Sequence, residues 1–554
     1  MKGSVFMKKL AAASMAALLV FGSAQTALAE VIYYNLSEKG NLNITDSDDE
    51  YIVTSNGETS NVITVSDGVK TYIVLQGVTI QTTTDVSGIS IGKDANVVLE
   101  LNGDNNITVD TKSENEAKAG INVAEGSLTI KGGDTDSLTV ETVAKGYNCY
   151  ADGAGIGSDE GQNFSGTIVI EGGNITAKSG EDGTGIGSGD TGDMSGSITI
   201  SGGNVIAKSA DEGAGIGSGY KGEMSGSITI SGGNVKAVSD VDGAGIGSGS
   251  DGEFTANIVI TGGDVFAESK GDGAGIGSGD DIDMDGSIVI SGGKINVKSN
   301  DGAGIGSSDD GAITKDGIIH IGGNANVNIT TKDSPGVGSA RCEQMNGSIV
   351  ITDNASVDIT LKNISVKSGI GASENNDYSD DRAQFNGSIG ILEHASVNMR
   401  YNDPDTDDIP GIGIEGGSTT GTITLSTGSF INGVSGADIE KLREMGILDD
   451  VTQIVSVDPT PEPVEPDNSY SLTPLNLKQR IDKAQPGETV SVSESQLNKG
   501  KLPSYILEAL ALKEDVTLAI FCEEFCILIT SDEAVADAGS TQFYTIDELV
   551  EMYE

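Results

Sequence analysis

The segment Asp-Gly-Ala-Gly-Ile-Gly-Ser, with small variations, returns along this chain at a fixed pitch. Its first glycine is Gly153, Gly183, Gly213, Gly243 and Gly273, thirty residues apart each time. Looser copies follow around Gly302, Gly336, Gly369 and Gly411. A second phrase, SGSITISGGNV, keeps the same pitch after Met194 and Met224. A period of roughly 20 to 50 residues marks a repeat architecture, in which each copy buries its apolar face against its neighbours.

Within each copy three short β-like runs alternate with turn residues. In one copy they are Thr184–Ser188, Ser197–Ile200 and Val205–Lys208. The last two alternate apolar and polar in part, the period-2 signature of a strand with one buried face. Glycine pairs such as Gly202-Gly203 and Gly232-Gly233 separate them, and glycine suits a corner where φ turns positive. Proline is absent before Pro335, as expected where strands lie between two partners and must donate to both ladders.

Adding thirty generates the ladders. Ile156, Ile186, Ile216, Ile246 and Ile276 form one stack, and Ile168, Ile198, Ile228, Ile258 and Ile288 a second. Beside the second runs Ile170 through Ile290, and Ala177, Ala207, Ala237 and Ala267 form a fourth. Three strands per coil, stacked in one direction, predict an all-β fold: a right-handed parallel β-helix with about 12 coils between Val62 and Ile431. At ~4.8 Å per coil this is a rod on the order of 60 Å long. Regular β-branched ladders argue against a flexible Gly-rich linker, and no G-G-x-G-x-D nonapeptide pitch indicates a calcium roll.

The ends read differently. Residues 1–29 carry Lys8-Lys9, the short apolar run Leu10–Phe21 and an Ala27-Leu28-Ala29 cleavage site, the pattern of a secretory signal peptide. The β-helix occupies 30–457 and ends in a short capping helix, Ala437–Met445. A Pro/Glu-rich linker spans 458–468. Residues 469–554 read as a small α+β domain. Its expected elements are helices at Leu475–Ala484 and Ser504–Lys513, a hairpin from Val516–Phe521 and Phe525–Thr530, and a last helix opened by a Thr545/Glu548 capping box. No later stretch matches the roughly 20 apolar residues of a membrane helix. The chain therefore reads as exported, extracellular or held at a cell surface.

The formal charge is −51, and loss of three lysines and no acid with the leader takes it to −54. Without a basic patch to displace counterions, nucleic acid is excluded as a partner, and divalent cations are favoured. The four cysteines are too few and too scattered for a disulfide framework, although Cys522 and Cys526 stand close enough to pair.

Two acidic ladders stand out. Asp152, Asp182, Glu212, Asp242, Asp272 and Asp301 precede the first strand of successive coils, and Asp193, Glu223, Glu253 and Asp283 share a second position. Stacked carboxylates ~5 Å apart repel one another by about 1 kcal/mol in water. Calcium, which takes 6–8 oxygens, would offset this. The competing reading is a turn in which each acid bonds nearby backbone. A stripe of Phe164, Met194, Met224, Phe254 and Met284, continued by Met345 and Phe385, reads as an apolar plug rather than a sugar-facing surface. Lys178, Lys208 and Lys298 share one outward strand position and are candidate contacts to an anionic polymer. Catalysis is the weaker reading: Arg341, Arg382 and Arg400 all come late, His320 on an outward position and His394 in a turn form no paired motif, and the acids repeat too uniformly to mark one site.

The progression TYIVLQGVTI, ISIGKDANVVLELNGDNNI, AGINVAEGSLTIKGG and GAGIGS…GSITISGGNV resembles secreted Gram-positive proteins of the clostridial carbohydrate-binding β-helix type, over roughly residues 50–430. The tail LPSYILEALALKEDVTLAIF resembles a small C-terminal module of similar exported proteins. The resemblance implies a right-handed β-helix, calcium sites and binding of acidic polysaccharide without cleavage. The alternatives are a structural surface stalk or adhesin presenting its C-terminal domain, and a polysaccharide lyase or hydrolase.

Overall fold

The computed structural model describes residues 30–457 apart from short stretches, of which 374–383 is the longest, and parts of 474–549. The expected signal peptide and linker lie outside the described residues. Contacts divide the chain into two units, Met1–Pro459 and Thr460–Glu554.

The first unit is a parallel β-solenoid with three sheets, containing 15, 14 and 13 strands among the described residues. One coil runs from a short strand in sheet 3 (Ile186–Gly187) to sheet 1 (Ser197–Ile200), around a glycine corner, and into sheet 2 (Asn204–Ser209). The next coil then repeats the path, and each strand pairs with its copy thirty residues on. Ile198 lies against Ile228, Ile200 against Ile230, Ile186 against Ile216, and Ala207 against Ala237. All of these side chains are buried, so each stack fills the interior between its neighbours. A buried isoleucine contributes about 1.5–3 kcal/mol relative to exposure, and a regular coil adds three, such as Ile216, Ile228 and Ile230.

Two glycine positions explain the glycine in the repeat. Gly203 and Gly233 turn the corner between sheets 1 and 2 at φ 81° and 82°, where a side chain is disfavoured. Gly217 has φ 144°, and a Cβ there would lie 1.7 Å from the carbonyl oxygen of Gly247 in the next coil. The coils approach too closely at this point for any other residue. Later coils drop the glycine pair, and the corner is then held by Asp353 and Glu393 at φ 58° and 53°.

The twelve expected coils correspond to twelve consecutive strands of sheet 3, from Ile63–Val65 to Gly411–Gly413. One further coil precedes them, built from Leu42–Ile44, Glu50–Thr54 and Glu58–Thr59. It lacks the glycine phrase, which is why its periodicity is invisible. At the other end a helix, Ile439–Glu444, is capped by the Asp438 carboxylate on the Lys441 N–H (3.2 Å) and buries Leu442 in the solenoid core. Sheet 1 then gains one strand beyond the expected end, Gln453–Val457.

The stripe Phe164, Met194, Met224, Phe254 and Met284 bridges coil to coil and is wholly buried, so it is the apolar plug that its composition suggested. His320 keeps the outward strand position expected of it. It pairs in register with outward Val289 and Val350, yet it is only 2% exposed. Burial pushes its imidazole below the usual value, opposed by nearby Asp353.

The second unit has its own core, including Leu477, Ile481, Leu507, Leu518, Ile520 and Ile529. Helices Pro474–Lys483 and Ser504–Ala511 accompany a sheet in which Thr517–Phe521 pairs parallel to Thr489–Ser493 and antiparallel to Cys526–Thr530. Thr545 closes the strand Phe543–Thr545. Glu548, needed for the expected capping box, and Cys522, needed for the possible disulfide, lie outside the described residues.

Candidate functional site: an acidic seam and a lysine-flanked ring

The first acidic ladder lies at the turn before sheet 3. Its carboxylates bond the backbone of the coil above. Asp152 accepts from the Asp182 N–H at 3.4 Å, Asp182 from the Glu212 N–H at 3.3 Å, and Asp242 from the Asp272 N–H at 3.1 Å. These bonds run between coils rather than to the following glycine, so the acids brace the stack as well as the turn.

A third column faces this ladder. The N–H groups of Asp190, Tyr220, Ser250, Asp280 and Asp309 bond the carbonyls of Asp152, Asp182, Glu212, Asp242 and Asp272 in the preceding coil, at 2.9–3.1 Å. At two of the three acidic facing residues, Asp190 and Asp280 but not Asp309, three carboxylates converge: Asp152 with Glu160 and Asp190, and Asp242 with Asp272 and Asp280. In each group one oxygen per residue lies within 4.8 Å of the others. In the middle coils Tyr220 and Ser250 replace the acid, which leaves Asp182 and Glu212 outside these groups. Asp301 is half-buried in the last regular coil and is likewise outside them.

Burial and mutual repulsion raise these carboxyls. Asp152 is pushed up to about 8, first by burial and then by Asp182. Asp190 is pushed to about 7 by burial, Asp182 and Glu160, and Asp280 to about 7 by burial, Asp281 and Asp272. Oδ1 of Asp190 is buried with no hydrogen-bond donor among the described residues. Such an oxygen calls for a proton or a cation. Oxygens that share one calcium at ~2.4 Å stand no more than about 4.8 Å apart, so the donor sets fit a hard cation.

The second ladder is arranged differently. Asp193 accepts from the Asn163 amide at 3.0 Å and from the Glu223 N–H at 3.2 Å, and Asp283 accepts from the Ala312 N–H at 2.8 Å. Glu223, Glu253 and Asp283 are exposed. Among the described residues this ladder joins no group of three acids.

The shared lysine position does not form a continuous cationic row. The register runs Lys178, Lys208, Val238, Glu268, Lys298. Lys178 is paired with Glu141 at 2.6 Å, and Lys208 with Asp240. Lys298 instead lies over the Phe266 ring, 5.2 Å from its centroid, and Lys236 approaches the same ring at 5.4 Å. Exposed Ile206 lies in the same column as Lys236 and Phe266. Among the described residues neither Lys236 nor Lys298 has a carboxylate partner. Sequence reasoning had found Lys298 but not Lys236, which lies two residues before the tracked position. It had also missed Glu160, Asp190 and Asp280, although these share the thirty-residue pitch.

The stacked coils and the registered ladders define a parallel β-helix repeat protein. A family profile described as beta helix repeat matches residues 168–190, 198–220, 228–250, 258–280 and 288–309. No curated protein and no solved structure matches the chain. Among the described residues no helix is long and apolar enough to cross a membrane.

Proposed function

We propose that this is an exported, non-catalytic β-helix that binds an anionic polysaccharide on the outer face of sheet 2, with calcium held in the acidic seam. The observation that carries the reading is the pair Lys236 and Lys298 over Phe266. Most described lysines near this face are taken up by acids, including Lys178, Lys208, Lys270 and Lys294. These two converge on an aromatic ring instead. A sugar ring can lay its C–H face on Phe266 and Ile206 while its acidic groups meet the two ammoniums. The lysines stand two coils apart, about 10 Å, so successive acidic units of an extended polymer can engage both. Calcium in the two seam groups offsets carboxylate repulsion and stiffens the coils that carry the face.

A glycan array read in calcium and in chelator tests this, with oligouronates of increasing length as the central series. Affinity should climb with length and fall in Lys236→Ala and Lys298→Ala. Shortening of the polymer on incubation would make the protein a lyase or hydrolase instead. A purely structural stalk is the second reading, favoured by the separate compact unit at the C-terminus. It predicts no glycan affinity in any buffer.

A further inference from the structure

The first coils differ from the regular ones on the outer face of sheet 1. Regular strands such as SITI carry hydroxyl side chains outward. The early strands EYIVT, KTYIVLQ and NVVLELN instead set apolar residues between charged and polar ones on that face. Ile52, Val74 and Val98 face outward half-buried, and Tyr33 is 62% exposed.

Two columns run along this face in register. One is Val31, Glu50, Tyr72, Val98, and the other Tyr33, Ile52, Val74, Glu100. Glu50 is only 6% exposed, and its carboxyl makes no hydrogen bond or ion pair among the described residues. Burial, and the charge of Glu100, push that carboxyl above its ordinary range. The Tyr72 hydroxyl donates to Glu100. Two neighbouring lysines are engaged elsewhere: Lys131 with Glu171 at 3.0 Å, and Lys39 with the Tyr33 carbonyl at 2.7 Å.

We propose that this face binds a linear α,ω-diamine, with its methylene chain laid over Val74 and Tyr72 and its two ammonium groups held by Glu50 and Glu100. The two glutamates stand on strands two coil spacings apart, about 10 Å, and Tyr72 and Val74 occupy the coil between them. Cationic ends with an apolar middle match that order, and aromatic rings favour an ammonium nearby. Glu50 and Glu100 join no group of three acids among the described residues, so the face offers few oxygens to a metal ion. An anionic polymer is repelled. A symmetric second copy would set these acids against themselves.

Calorimetry on the mature full chain, in chelator and near-physiological salt, tests this with a series from diaminoethane to diaminooctane. Affinity should peak at one chain length and exceed that of a monoamine of equal carbon number by about tenfold or more. Glu50→Gln and Glu100→Gln should each lose about tenfold or more. Changing exposed Glu223 and Glu253 to Gln should leave binding unchanged. Should Glu50→Gln fail to fold, Val74→Lys, which places an ammonium on the face, should abolish binding by itself. Affinity that is indifferent to chain length and survives both glutamate variants would reveal diffuse attraction to an acidic chain and overturn the proposal. Binding of a lysine-rich peptide without binding of diamines would also overturn it and assign the face to a polypeptide. The calcium and polysaccharide readings stand or fall separately.

Discussion

Asp190 is the residue through which the seam can be tested most cleanly. Its carboxyl is pushed from the ordinary 3.8 to about 7, chiefly by burial and then by Asp182 and Glu160. The folded state therefore holds the proton more tightly than the unfolded state. Below about pH 4 both states are protonated and folding carries no penalty from this group. As pH rises from about 4 to about 7 the unfolded chain ionises first, stability falls, and above that range the loss is constant. Each pKa unit corresponds to about 1.4 kcal/mol, so three units give about 4 kcal/mol. Solvent screening of a partly exposed carboxylate reduces this to about 2 kcal/mol. Asp190→Asn removes the ionisation and keeps the shape. In chelator the variant should match the wild type near pH 4 and exceed it by about 2 kcal/mol at pH 8. Calcium at a hundredfold excess over its Kd should add about 2.7 kcal/mol to the wild type at pH 8, and much less to the variant. The assay is urea unfolding followed by β-sheet circular dichroism at several pH values, with and without calcium. The wild-type-minus-variant difference cancels the general effect of a highly acidic chain. A difference independent of pH would refute the raised carboxyl, and a wild type indifferent to calcium would refute the cation site.

Other outcomes follow from the packing. Ile228→Asp buries a charge between rungs and should be severely destabilising, whereas Thr229→Asp, half-exposed on the opposite face, should cost far less; equal thermal midpoints would mean the faces are misassigned. Gly217→Ala drives a methyl into the Gly247 carbonyl and should lower the unfolding midpoint more than Ala substitution at an open glycine such as Gly68. In the glycan assay Lys236→Ala with Lys298→Ala should weaken binding of long oligouronates by about tenfold or more, while Lys178→Ala, already paired with Glu141, should change little.

The β-helix was legible because its signal is a sum. One isoleucine at Ile198 says little, but five at a thirty-residue pitch, with alanine and glycine keeping the same pitch, admit few other packings. The first coil was not legible, since Leu42–Ile44 and Glu50–Thr54 have no copy of the phrase to align with. The ladders of Asp152 and its successors were also legible as columns. What lies opposite a column was not, because the path of the turn decides that Asp190 faces Asp152 and not Asp193. The lysine position shows the same limit. Shared strand position placed Lys178, Lys208 and Lys298 in one row, but Glu141 holds that position one coil earlier at a spacing of 37 rather than thirty residues, and Asp240 belongs to a neighbouring column.

A perfect repeat cannot by itself make a site, because every coil then offers the same groups. In this chain the candidate sites fall where a column changes identity. The seam becomes two separate acid clusters because Tyr220 and Ser250 interrupt the facing column, and each interruption removes one charge from a crowded stack. The ring at Phe266 gathers two lysines because its own column passes from Ile206 through Lys236 to an aromatic, while the next column alternates Val238, Glu268 and Lys298. The early coils, with the weakest repeat, carry the exposed Tyr33 and the buried Glu50. In a solenoid the regular positions supply stability that many coils share. A departure from the pattern costs only its nearest-neighbour contacts, so single coils are free to vary. Specific chemistry should therefore be sought first at the residues that break the thirty-residue register.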